Sequence, residues 1–197
     1  MGVHHKELPL DINTSAVRLR TTDRAGLLAH FLALNPEDRR LRFGSRAADQ
    51  LLEEYAGRID FAHDCLFAVH DETLRLVAVV HVANGAEEAE LGMSVLPGWR
   101  GHGLGNALLQ RAVVWLRNRG TLSVHVHCLA ENAAMMHLAR KNGMRIAYDG
   151  SETDARLELA APTPDSYVSE WIEEQRGLAF HALRRNARWM QVLLGKA

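Results

Sequence analysis

The sequence predicts an α+β fold: a mixed, mostly antiparallel central sheet flanked by helices, with a C-terminal helical extension. Three observations carry this expectation. The β-rich runs "CLFAVH", "LRLVAVVHVA" and "EAELGMSVL" follow one another with only "DET" and "NGAE" between them. Gaps that short join antiparallel neighbours, and Asn84-Gly85 is a turn dipeptide. Helix-periodic segments lie on both sides of these runs, and the glycine-rich "LPGWRGHGLGNALL", residues 96 to 109, separates the last run from an amphipathic helix.

The elements follow in order. "AVRLR" alternates apolar and charged residues, as a half-buried strand does. In "TTDRAGLLAHFLAL", Thr22 or Asp23 can cap a helix that turns Leu27, Leu28, Phe31 and Leu32 inward. "NPEDRRLRF" repeats the device, with Asn35 as cap, Pro36 at the first helical position and acids in the first turn. A third helix near residues 47 to 59 carries Leu51, Leu52 and Tyr55 at helical spacing. Beyond the glycines, Leu104, Leu108, Ala112 and Trp115 share one helical face, and Asn118-Arg119-Gly120 ends that helix. "LSVHVHCL" reads as a strand, "NAAMMHLARKNG" as a helix with Asn132 as cap, and "ARLEL" as a late strand. From about Pro164 a helical tail carries Trp171, Ile172, Phe180, Leu183, Trp189 and Leu193. The expected order is β-α-α-α-β-β-β-α-β-α-β-α. Residues 1–14 read as a polar lead-in, 15–160 as one domain and 161–197 as the helical extension.

Composition narrows the function. The chain has 197 residues, 47% hydrophobic and 24% charged, with a formal net charge of −1. Such a balance gives no overall field to draw nucleic acid or anionic lipid, so neither is an expected partner. No apolar run reaches the ~20 residues that cross a bilayer. Cys65 and Cys128 cannot build a disulfide framework and read as free thiols of a reducing cytoplasm. His125 and His127 share one face of a strand, but two ligands without a Cys-x-x-Cys or His-Glu-x-x-His pattern make no zinc site, so no metal is expected.

The glycine stretch is the strongest motif. A Walker loop would end in Gly-Lys-Ser/Thr, which is absent. A dinucleotide fingerprint would need glycine where Asn106 stands, and an acid about twenty residues on, where Gly120 and Thr121 stand. What remains is R-x-x-G-x-G, spelled Arg100, Gly101, His102, Gly103, Leu104, Gly105. Unpaired N–H groups at a helix N-terminus, together with the helix dipole, suit a pyrophosphate, and glycines let the backbone approach it.

In its strand–loop–helix setting this hexapeptide resembles the acetyl-CoA loop of the GNAT family of N-acetyltransferases. "AELGMSVLPGWRGHGLGNALLQRAV" is similar to the family's central strand, loop and helix, and "VHVHCLAENAAMMHLARKNGM" to the next strand and helix, with Asn132, Lys141, Gly143 and Met144 at the motif positions. "NPEDRRLRF" is similar to a segment of bacterial protein-lysine acetyltransferases whose acetyltransferase domain is joined to an acyl-CoA-synthetase-like region.

The resemblance implies the acyl-CoA N-acyltransferase fold and transfer of acetyl from acetyl-CoA to a primary amine, on a protein lysine or a small molecule, by direct attack. An alkyl ammonium near pKa ~10.4 must first lose a proton, and the tetrahedral oxyanion needs a donor in place. By position, Glu90 is the implied base, with burial between strands expected to raise its pKa. A backbone N–H near Val95 or Leu96 is the implied oxyanion donor. Arg100, Gly101, His102, Gly103, Leu104, Gly105 and Asn106 would hold the pyrophosphate, and Asn132 would touch the cofactor from the next strand's end. The chain departs from the family at Ala139, where many members carry a tyrosine that protonates the leaving thiolate. His137 neighbours that position but is expected to face the surface. The rival reading is a non-catalytic acyl-CoA-binding sensor or regulatory domain: the missing tyrosine favours it and Glu90 counts against it. The tail is expected to be a solvated helix with an aromatic anchor, able to cover the acceptor site or to mediate a homodimer.

Overall fold

A computed structural model describes residues 15–85 and 87–193, except for the side chains of Arg184 and residues 187–193. The expected polar lead-in therefore lies outside the described residues, as do the side chains of Arg184, Arg188, Trp189 and Leu193.

One sheet of seven strands is built from β1 (Val17–Arg18), β2 (Cys65–His70), β3 (Leu76–Asn84), β4 (Glu88–Val95), β5 (Ser123–Leu129), β6 (Arg145–Asp149) and β7 (Glu152–Glu158). Their spatial order is β1-β2-β3-β4-β5-β7-β6. Every pairing is antiparallel except that of β4 with β5. The helices are α1 (Arg24–Leu32), α2 (Pro36–Phe43), α3 (Asp49–Arg58), α4 (Leu104–Arg117), α5 (Ala133–Lys141) and α6 (Pro164–Leu193).

Strand alternation decides what each face meets. On one face lie His81, Gly92 and Ser94, which receive Tyr55 of α3, Arg42 of α2 and His30 of α1. On the other lies Phe67, against Trp115 and Arg111 of α4. Leu104, Leu108, Ala112 and Trp115 are all buried, as their helical spacing requires. Asn35 caps α2 by accepting the Asp38 N–H at 2.9 Å, and Asn132 caps α5 by accepting the Met135 N–H at 3.1 Å.

Three local expectations are corrected. The late strand is the second arm of a hairpin, β6–β7, turned at Gly150; "RIAYD" is too short and too exposed to carry a clean alternation of its own. Leu51 is exposed, because α3 turns Leu52 and Ala56 toward α1. The tail α6 meets the domain through a polar face. Glu174 pairs with buried Arg111 at 2.5 Å, and Glu170 accepts from Asn118 at 2.7 Å and from Arg119 at 2.9 Å. Its apolar residues Trp171, Ile172, Phe180 and Leu183 stay exposed. Helical spacing marks an apolar side, but the ion pairs with α4 choose the side that docks.

His30 ties the layers together. Its Nδ1–H donates to the Leu76 carbonyl at 2.9 Å, and the Ser94 hydroxyl donates to Nε2 at 2.8 Å. The ring is thus held neutral, and burial pulls its pKa down to about 4. Below about pH 6.5 the unfolded chain takes up a proton that the native ring refuses, so stability falls with pH until about 4. His81, also lowered by burial, acts in the same direction. Urea unfolding is expected to be level above pH 7 and to lose up to about 3 kcal/mol between pH 6.5 and 4 on account of His30. His30→Gln should flatten that slope; an unchanged slope in the variant would assign it to other groups.

Candidate functional site

β4 and β5 pair only over Glu88–Glu90 and Ser123–His125. Beyond that register the two strands part, although β4 runs on to Val95 and β5 to Leu129. Just past the end of β4 the Leu96 N–H donates to the Val77 carbonyl of β3 at 2.9 Å. Successive peptide groups in a strand face opposite edges, so the N–H groups of Met93 and Val95 face the gap instead. The Val95 carbonyl, on that same edge, accepts from Arg100 Nε at 3.1 Å. Of the two expected oxyanion donors, Leu96 is therefore engaged in the sheet and Val95 is the one directed into the gap.

The gap widens into a cleft of about 450 Å³ lined by Arg42, Met93, Ser94, Val95, Arg100, Gly101, Gly103, Leu104, Gly105, Asn106 and Asn132, among others. Gly101 and Gly103 both have φ of +79°, a left-handed conformation that a side chain would strain. Gly103 stands at the N-cap of α4, so the unpaired N–H groups of the first turn are presented at the cleft. Asn106 Oδ1 accepts from Asn142 at 3.1 Å, which ties α4 to the end of α5. His102 is exposed and lies outside the cleft lining. His137, expected to face elsewhere, is exposed at the cleft mouth.

Helix α2 straps the cleft. Buried Asp38 pairs with Arg100 at 2.5 Å. Arg40 pairs with Glu131, and Asn132 Nδ2 donates to the Leu41 carbonyl at 3.4 Å. The sequence shows Asp38 only as an acid in a first helical turn; nothing local signals that its partner lies on the glycine loop.

Glu90 occupies the last paired position, opposite His125. It lies on the face of the sheet that also carries Glu88, His125, His127, Asp154 and Arg156, which together line an open polar basin. Glu90 is exposed there, so the burial expected from the sequence is not found. On that face Arg42 of α2 and Tyr55 of α3 meet Gly92 and His81, further along the sheet, so Glu90 itself stays open to water. Ala139 is fully buried at the position of the family tyrosine. Cys65 is buried with its thiol pushed up to about 12, and burial also raises Cys128, so neither is poised as a nucleophile. Among the described residues no group of three or more His, Cys, Asp or Glu could hold a metal, and no helix is long and apolar enough to cross a membrane.

Sheet order, parting strands and glycine loop together define the acyl-CoA N-acyltransferase fold. Residues 55–144 match the model of the acetyltransferase (GNAT) family. Over those residues the chain resembles that family, whose members are acetyl-CoA N-acetyltransferases. The fold is similar to the GNAT domain of S. lividans PAT, with 19% identity, 73% of this chain and 89% of that chain covered, and a TM-score of 0.63. The ribosomal-protein-S18-alanine N-acetyltransferase of Escherichia coli matches at 20% identity, 76% and 96% coverage and a TM-score of 0.57. The spermidine N-acetyltransferase of Vibrio cholerae, in complex with CoA and spermine, matches at 20% identity, 74% and 96% coverage and a TM-score of 0.58. A comparison with curated proteins gives no match.

Gly103→Ala tests the loop. The substitution strains a left-handed position by about 1–2 kcal/mol. It is expected to weaken acetyl-CoA binding, measured by titration calorimetry, by about tenfold; unchanged affinity would show that the cofactor does not depend on this turn.

Proposed function

We propose that the protein transfers the acetyl group of acetyl-CoA to a primary amine, on a protein lysine or a small molecule, with Glu90 as general base. The observation that carries this reading is the place of Glu90: it stands at the last paired position, where β4 and β5 part, in the wall of the polar basin. An amine entering from the basin meets the carboxylate before it meets the thioester. Glu88, Glu90 and Asp154 outnumber Arg156 in that basin, a balance that suits a cationic acceptor.

The proposed steps are these. Glu90, directly or through water, takes the proton from the ammonium form of the acceptor. The free amine attacks the thioester carbonyl, and the Val95 N–H stabilises the oxyanion. Collapse expels the CoA thiolate, which is a better leaving group than an alkoxide and takes up, directly or through water, the proton that the attacking nitrogen sheds, so no dedicated acid is needed at residue 139. The first turn of α4, with Gly101 to Gly105, holds the pyrophosphate, and pantetheine lies along the open edge of β4 as an added strand would. Acceptor binding, rather than the fold, would remove Glu90 from water.

Glu90→Gln keeps the shape and removes the base. Thiol release from acetyl-CoA with an amine panel is expected to fall by about two to four orders of magnitude, with acetyl-CoA affinity retained. Turnover within threefold of wild type would take Glu90 out of the mechanism. Tight acetyl-CoA binding without thiol release from any amine or protein lysine in the wild type would point to a sensor instead.

A further inference from the structure

Arg42 is a cation at the reacting end of the cleft. It lines the cleft beside Met93 and Ser94, and its guanidinium lies directly over Gly92, where a Cβ would overlap it. Aromatic rings flank it, with its Cζ 4.9 Å from the Phe43 centroid and 5.7 Å from that of Tyr55. Its hydrogen bond runs from Nη2 to the Tyr55 hydroxyl oxygen at 3.0 Å. That hydroxyl donates to His81 Nδ1 at 2.7 Å, and His81 Nε2–H donates to Asp64 at 3.0 Å. The chain positions Arg42 without neutralising it. Asp64 stands three links away, Glu90 lies two residues before Gly92 on the same strand face, and no acid among the described residues forms an ion pair with this guanidinium.

A guanidinium has five N–H donors in a rigid fork that matches a carboxylate. Here one hydrogen bond to Tyr55 is satisfied within the protein, while the group is stacked and clamped at the edge of a cleft. Its place also excludes the cofactor's phosphates. Gly92 lies four residues upstream of Leu96, about 13 Å along the strand, and the glycine loop begins only beyond Leu96.

We infer that Arg42 is a carboxylate-recognition residue at the acyl end of the cleft. It binds an acid group carried either by the acyl chain of the donor, as in a dicarboxylic acyl-CoA, or by the acceptor amine. This deepens the proposed transferase reading and rests on it for the orientation of the cofactor.

Two matched pairs test it. The donor pair is acetyl-CoA and succinyl-CoA; the acceptor pair is Nα-acetyl-lysine and Nα-acetyl-lysinamide. Each is titrated calorimetrically, the donors into free protein and the acceptors into CoA-loaded protein, with thiol release measured in parallel. Wild type is expected to prefer the acid member of one pair by about tenfold or more. Arg42→Met should remove that preference, and Arg42→Lys, which keeps the charge but not the fork, should retain a part of it. The preferred pair names the source of the carboxylate. Wild type treating both members of both pairs alike within threefold would overturn the inference, as would a preference that survives in Arg42→Met. A binding preference without thiol release would sustain the role of Arg42 while removing the transferase reading.

Discussion

The parting of β4 from β5 is the constraint on which the rest of the structure depends. A parallel pair that stops at Glu90 and His125 leaves strand edges without partners inside the domain. Unpaired backbone groups are costly when buried, so a gap of this kind persists only where water or a ligand can satisfy it. Here the gap runs toward the glycine loop at one end and the polar basin at the other. It converts a sheet into a slot whose wall carries N–H groups directed inward at Met93 and Val95.

A gap alone would let the sheet edges wander, and α2 prevents that. Asp38 holds Arg100 on the β4 side, while Arg40 and the Leu41 carbonyl hold Glu131 and Asn132 on the β5 side. The same short helix delivers Arg42 onto Gly92. Partly buried charge pairs of this kind contribute less to net stability than to geometry, because desolvation offsets much of their attraction. Their use here is to fix the width of the cleft and the place of a cation within it. Below them, the neutral His30 links α1 to β3 and β4 without adding a charge to the core.

Much of this was legible before any coordinates. β-rich runs joined by short gaps point to β2 to β4, helical spacing points to α4 and its buried face, and Asn35 and Asn132 announce their helices as caps. The loop from Arg100 to Gly105 was legible because positive φ at Gly101 and Gly103 is a local demand that leaves a mark in composition. The β6 arm leaves no such mark, because an exposed edge strand has no inward face to alternate against. The sequence locates Glu90 along the strand but not in depth, since which helix covers a strand position is not encoded in its neighbours.

The sequence by itself determined the order of elements apart from β6, the glycine cradle and the family that this pattern resembles. These rest on interactions among residues a few positions apart, where spacing fixes geometry. Only the tertiary structure decided that Leu96 is spent in the sheet while Val95 faces the gap. Only there does Glu90 stand in the open, α6 dock by its acids rather than its aromatics, and Asp38 and Arg42 reach across to Arg100 and Gly92. Each of those outcomes depends on which distant element a side chain meets. Periodicity reports the face on which a residue lies, and packing alone supplies what lies opposite.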